Sequence, residues 1–164
     1  MAIKSREKVE EIEYIDPPPM RDGELSLRLA AKVPPDHKKG WVPSYHFEMV
    51  HSDDGTVLGH INLRIGNIEN LRMFAGHIGF AVLEPFRGHH YAARSCRLLI
   101  PLIRHHRLNP AWLTCNVDNE PSKRTMELIG ARYVETVTMA DDYPYAPDYP
   151  PDSRTKRRYR WDVL

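Results

Sequence analysis

Between His77 and Leu83 lies an almost unbroken apolar run, which stops at Glu84-Pro85-Phe86-Arg87-Gly88 before a helix-forming stretch begins. This junction constrains the fold more than anything else in the chain. A strand that is apolar at consecutive positions has both faces covered, so it predicts a central place in a sheet. A strand that passes through a short turn into a helix predicts a mixed α/β or α+β layered domain. The turn also has a chemical consequence. The first N–H groups of a helix have no intrahelical acceptor, and the helix dipole favours negative charge there. Arg87, Gly88, His89 and His90 therefore outline an anion site suited to a pyrophosphate. Taken alone, the same turn is equally an ordinary strand–helix connection with a solvated arginine.

The periodicity around this junction extends the prediction. Tyr45 to Val50 alternates and reads as a strand; Ser52-Asp53-Asp54-Gly55 is a hairpin turn; Val57 to Arg64 alternates again. In that second strand Val57, Gly59, Ile61 and Leu63 share one face, and His60, Asn62 and Arg64 share the other. Ala92 to Arg107 carries a helical stripe of Ala92, Cys96, Leu99 and Ile103, with Pro101 predicted to kink it. Ala111 to Val117 is a strand. Asn119 is the N-cap of a helix through Ile129, with Pro121 in its first turn and Gly130 at its C-terminal cap. Arg132 to Met139 and Thr155 to Val163 complete the strands. Residues 1–23 read as a peripheral segment, with a short surface helix an option for Lys4–Glu11. The Pro-, Tyr- and Asp-rich stretch Asp141–Ser153 reads as a loop. The whole chain, 1–164, is expected to be one domain.

Composition excludes other classes. The chain has 164 residues, of which 41% are hydrophobic, and no apolar run approaches the roughly 18 residues of a membrane span. Lys+Arg and Asp+Glu are 23 and 22, giving a net charge of +1, which argues against a dedicated nucleic-acid binder. Cys96 and Cys115 are too few for a disulfide framework or a four-thiolate zinc site, and His89-His90 and His105-His106 lack ligand spacing. No metal is expected. Met1 to Glu10 lacks the apolar core of a secretory signal, so a cytoplasmic location is the expectation.

The stretch Gly76-His77-Ile78-Gly79-Phe80-Ala81-Val82-Leu83-Glu84-Pro85-Phe86-Arg87-Gly88-His89-His90-Tyr91-Ala92 resembles motif A of the GNAT superfamily of acyl-CoA-dependent N-acyltransferases. The family pattern Arg/Gln-x-x-Gly-x-Gly/Ala aligns with Arg87 to Ala92. Downstream, Thr114 to Glu135 is similar to the family's fifth strand and fourth helix, with Asn119 and Ser122 on its Asn-x-x-Ser/Ala pattern and Gly130-Ala131-Arg132-Tyr133 on the turn that follows. The resemblance covers Tyr45 to Val137 and, more loosely, the last strand. It implies a GNAT fold: a mostly antiparallel sheet splayed between the family's fourth and fifth strands, with helices on both faces. It implies acetyl-CoA as co-substrate and a primary amine of a small molecule or peptide as acceptor, attacking the thioester directly. The alternative is a non-catalytic acyl-CoA-binding or sensing domain. The basic stretch Arg154–Arg160 reads as a solvated strand or as the edge of a homodimer.

The resemblance also assigns residues. Backbone groups around Gly79, Phe80, Ala81 and Val82 would pair with the pantetheine, and one such N–H would polarise the thioester carbonyl. Arg87, Gly88, His89, His90, Tyr91 and Ala92 would hold the pyrophosphate. Asn119 and Ser122 would line the cofactor, with Asn119 also near the attacking amine. His77 stands where relatives often carry Glu and is the first candidate for the base, with a hydrogen-bonded structural histidine the equal alternative. His60 and Glu48 are weaker candidates. In Asp141–Ser153, Asp141, Asp142 and Asp148 with Tyr143, Tyr145 and Tyr149 would attract and stack a cationic amine, with a mobile exposed loop the equal alternative. Two positions depart from the family: His90 replaces a Gly, and Met126 replaces the Tyr that protonates the departing thiolate.

Overall fold

In the computed structural model, which describes residues 3–163, the sheet begins earlier than the sequence pattern indicates. Strands β1 (Arg21–Asp22) and β2 (Leu25–Val33) precede the predicted hairpin. Leu25 and Leu27 of β2 point into the core, and a bulge between Leu29 and Ala31 interrupts the ladder with the next strand. The hairpin follows as β3 (Ser44–His51) and β4 (Val57–Arg64), its turn supported by Gly55 at φ 75°. Tyr45, Phe47 and Met49 of β3 and Ile61 and Leu63 of β4 are buried on one face. His46, Glu48, His60, Asn62 and Arg64 alternate onto the other. Strand β5 (Ile78–Val82) closes this antiparallel sheet in the order β1-β2-β3-β4-β5.

The predicted long helix is divided. Helix α1 (Tyr91–Leu98) and helix α2 (Ile100–His105) meet at Leu99, two residues ahead of Pro101, which has no N–H to donate. A second antiparallel sheet is built from β6 (Ala111–Asn116), β7 (Arg132–Thr138) and β8 (Thr155–Trp161), with β8 in the middle and helix α3 (Glu120–Leu128) between β6 and β7 in sequence. Cys96, Leu99, Leu102 and Ile103 of the α1–α2 stretch join Met126 and Ile129 in one apolar cluster with the buried faces of both sheets. A second cluster holds Phe74, Met139, Tyr143, Tyr145 and Ala146. No helix among the described residues is long and apolar enough to cross a membrane.

Two segments pack more closely against the body than the sequence pattern indicates. Lys4–Glu11 forms no helix and is tied to the body of the protein. The Glu7 carboxylate accepts the N–H groups of Glu69 and Asn70, Arg6 pairs with Asp148, and Val9 is buried. Polar side chains here make tertiary bonds, which a reading of apolar spacing alone discounts. Asp141–Ser153 is likewise packed, and contains the 3-10 turns Ala146–Asp148 and Pro151–Ser153. Tyr145 is fully buried, and its hydroxyl donates to Gly40 O and accepts from Glu7 N.

Candidate active site

Strands β5 and β6 belong to different sheets and meet at one end. His77 N–H donates to Trp112 O at 2.7 Å, and Trp112 N–H donates to His77 Nδ1 at 2.8 Å. Beyond that point β5 pairs only with β4, and β6 only with β8. Bonds from Arg64 N to His77 O and from Leu83 N to Leu58 O fix the parity of β5. Gly79 and Ala81 turn their N–H and C=O toward β4, so Phe80 and Val82 turn theirs into the gap. Arg87 Nε donates to Val82 O at 3.2 Å, leaving Phe80 N–H, Phe80 C=O and Val82 N–H on an unpaired strand edge. This is where an extended chain could add as another strand. Ala81, expected to pair with the cofactor, instead directs its backbone to β4.

The gap opens at one end into a cavity of about 770 Å³ between the start of α1 and α3. Its wall includes Phe80, Ala81, Val82, Arg87, Gly88, His90, Tyr91, Ala92, Asn119 and Ser122. Gly79 and His89, also predicted to contact the cofactor, do not line it, and the His89 ring stacks on Tyr91. The first α1 bond is Arg94 N to His90 O, so the N–H groups of Tyr91, Ala92 and Ala93 lack intrahelical acceptors. Gly88 has φ 98° and His90 has φ 59°. The motif position that relatives fill with Gly is thus a left-handed one, and His90 adopts it at a cost of about 1–2 kcal/mol. Arg94 steadies the turn: it binds Asp22 Oδ2 and Glu24 Oε1 at 2.7 Å each, and reaches His89 O at 3.3 Å. Its guanidinium holds the Glu24 carboxyl down at about 2. Arg87, by contrast, is exposed at the cavity mouth.

Phe80, Asn119 and Ser122 also line a larger groove of about 1080 Å³, so the two spaces adjoin at β5. Across the groove face of the first sheet runs the row His46 (β3), Asn62 (β4), Gly79 (β5), in direct register. A Cβ on Gly79 would lie 2.8 Å from Arg64 Nη2, so the missing side chain lets the guanidinium lie against β5. Arg64 Nη1 donates to Ala75 O and Gly76 O. His46 Nε2 is 3.0 Å from Ser44 Oγ; burial, then the Arg64 charge, moves its pKa below the usual histidine value. Lys156, opposite Asn116 in the β6–β8 ladder, donates to Asn116 Oδ1 at 2.8 Å and Ser153 Oγ at 3.0 Å. Burial lowers its pKa. Tyr149 OH donates to Asn70 Oδ1 at 3.1 Å.

Several predicted roles change. His77 is 1% exposed, and both ring nitrogens are engaged. Nδ1 accepts from Trp112, so Nε2 carries the proton and donates to Gly66 O at 2.9 Å. Burial pushes its pKa down to about 4. His77 is a strand-joining residue, walled off from the groove. Asn119 Oδ1 accepts from Ser122 N as the α3 cap, which leaves its amide NH2 for the cavity and no proton-transfer chemistry. Glu48 pairs with Arg28, and neither Glu48 nor His60 lines the groove. Asp141 and Asp142 are outside it, Tyr143 and Tyr145 are core, and Asp148 is neutralised by Arg6. Met126 is 1% exposed in the core. The Cys96 and Cys115 thiols are raised by burial, the first to about 12. Among the described residues no group of three metal-ligating side chains is close enough to hold an ion.

Sequence reasoning missed His46, Arg64 and Lys156 as groove residues. The available signal was alternation: His46 and Arg64 share with Asn62 the face opposite the core, and Gly79 leaves space beside them.

Several solved structures share this fold at low identity. The microcin C7 self-immunity acetyltransferase MccE, in complex with acetyl-CoA and AMP, superposes with a TM-score of 0.55 at 16% identity, covering 73% of this chain and 61% of that one. The Salmonella typhimurium acetyl transferase that modifies the N-terminal serine of ribosomal protein L7/L12 gives 0.56 at 18%, covering 78% and 67%. RimL, the ribosomal L7/L12 α-N-protein acetyltransferase, in complex with coenzyme A, gives 0.55 at 16%, covering 77% and 64%. The chain therefore spans less than two thirds of MccE and of RimL. No curated protein sequence matches it. Residues 1–132 match the family model described as an acetyltransferase (GNAT) domain, and the chain belongs to that family.

Proposed function

We propose that this chain is a single acetyltransferase domain that moves an acetyl group from acetyl-CoA to a primary amine of a small molecule or peptide. The observation that carries this reading is the unpaired β5 edge, continuous at one end with the amide-lined turn before α1 and at the other with the groove. Family membership and the CoA- and acetyl-CoA-bound neighbours support it.

Acetyl-CoA would supply the activated thioester. Gly88 to Ala92, with Arg87, would hold its pyrophosphate through backbone N–H groups and charge. Phe80 and Val82 would pair with the pantetheine, and a β5 N–H facing the gap would polarise the carbonyl where oxyanion charge develops. The amine would enter from the groove. His46 replaces His77 as the base: it faces the groove, and its depressed pKa keeps the imidazole neutral near pH 7. Buried Met126 leaves no acid at the family's tyrosine position, so the CoA thiolate would depart unprotonated, which thiol acidity permits.

The test is calorimetric titration with acetyl-CoA, CoA and desulfo-CoA, followed by an amine screen read as free-thiol release. Saturable binding below about 1 mM with amine-dependent release is expected. Absence of binding overturns the reading. Binding without release for any amine would favour the non-catalytic acyl-CoA-binding alternative, to which buried Met126 also points.

A further inference from the structure

The groove is cationic in a way that the proposed co-substrate does not explain. Arg64 and Lys156 both line it. Arg64 donates only to the carbonyls of Ala75 and Gly76, and Lys156 only to the neutral oxygens of Asn116 and Ser153. Among the described residues neither takes part in an ion pair. The two charges are close enough that Arg64 contributes to lowering the pKa of Lys156. The acids on the groove wall are Asp36 and Asp148. Asp148 is already paired with Arg6, and Asp36 caps Lys39 N. Lys156 Nζ also lies 5.7 Å from the centre of the Tyr149 ring, but neither half-buried cation has a carboxylate partner, and two such charges on one wall are costly unless an anion completes them. The pantetheine arm is uncharged, and its phosphates belong at the other end, against α1.

We infer that the acceptor is a small primary amine bearing an anionic group, a carboxylate or a phosphate, which Arg64 and Lys156 hold beside Gly79. Three N–H donors of Arg64 and one of Lys156 remain for it, enough for a bidentate carboxylate or phosphate contact. The same positive field disfavours an ammonium and favours the free amine, the form that attacks. The acidic capture of a cationic amine expected from Asp141, Asp142 and Asp148 is thereby reversed. This inference rests on the acetyltransferase reading, and its test is separable from turnover.

The test uses product analogues in the absence of acetyl-CoA. N-acetylglycine, N-acetyl-β-alanine and N-acetyl-γ-aminobutyrate are titrated calorimetrically against their carboxamides, and N-acetyl-O-phosphoethanolamine against N-acetylethanolamine. At least one anionic member should bind tenfold or more tighter than its neutral partner. Which pair shows the preference separates carboxylate from phosphate. Lys156→Met should abolish the preference and Lys156→Arg should retain it, each with a thermal midpoint near that of the wild type. Equal binding within every pair, or no binding in any pair, overturns the inference. Anion preference without acetyl transfer to the parent amines would uphold it and remove the catalytic reading instead.

Discussion

Trp112 brackets the ring and backbone of His77 between its own N–H and C=O: the amide donates to Nδ1 at 2.8 Å, and the carbonyl accepts His77 N–H at 2.7 Å. This clamp joins the two sheets just before they diverge, so it sets where the cleft starts. It requires neutral His77, whose folded pKa is about 4 against an ordinary value of 6.5. Between these values the unfolded chain binds more protons than the folded one. Stability is then full above pH 6.5 and falls as pH drops toward 4, by about 3 kcal/mol at most. Urea denaturation from pH 7.5 to 4.5 should show this slope. His77→Gln should be less stable at pH 7.5 and flatter with pH; an unchanged slope would remove His77 as its source.

His90 tests whether the turn before α1 would hold a pyrophosphate through backbone or side chain. At φ 59° its Cβ is unfavourable, and glycine relieves that strain. His90→Gly should change stability by less than about 1 kcal/mol, because the relief is offset by the entropy of an unfolded glycine. If backbone N–H groups hold the pyrophosphate, acetyl-CoA affinity should be kept or improved. A tenfold loss in titration would instead show that the imidazole binds phosphate. His90→Val, β-branched in a left-handed position, should lower the thermal midpoint.

The strand–turn–helix from Ile78 to Leu98 was legible because each of its signals is local: an apolar run, a Pro-Phe-Arg-Gly turn, a helical stripe. Strand β2 was not, because its alternation dissolves at Ala30-Ala31-Lys32 into a bulge and then Pro34-Pro35. The groove was hidden for a different reason. His46, Arg64 and Lys156 occupy positions that alternation assigns to a polar face, and such a face is ordinarily solvated. Only the tertiary arrangement brings them together: β8 inserts between β6 and β7 and carries Lys156 beside Asn116, while Asp148, Tyr149 and Pro150 line the groove. For His77 the sequence left a base and a hydrogen-bonded structural residue as equal readings, because its position on the strand suits either. Its ring is claimed by Trp112, 35 residues away.

His46 should reveal itself in kinetics. As a base it must be neutral, and burial with Arg64 places its pKa below 6.5. For an acceptor amine, kcat/KM should fall on the acid side with a limb whose midpoint lies below 6.5. His46→Gln should lower kcat by about 10²-fold or more and erase that limb, while the rise set by the amine's own deprotonation remains. A full rate in the variant would exclude His46 from proton transfer.

The two arginines flanking the turn should fail in different ways. Arg87 is exposed and touches the protein through Val82 O, so Arg87→Ala should leave the thermal midpoint in place. If Arg87 pairs with the pyrophosphate as proposed, the substitution removes a charge-assisted contact, and acetyl-CoA affinity should drop about ten- to a hundredfold, more steeply at low salt. Arg94 makes no such contact; it ties α1 to Asp22 and Glu24 on the first sheet and fixes His89 O. Arg94→Ala should lower the midpoint and also weaken acetyl-CoA binding, because Asp22 and Glu24 are left uncompensated near the phosphate site. Should Arg94→Ala bind acetyl-CoA as the wild type does, the turn would not depend on this anchor. Should Arg87→Ala bind unchanged, the pyrophosphate would be held by backbone N–H groups alone.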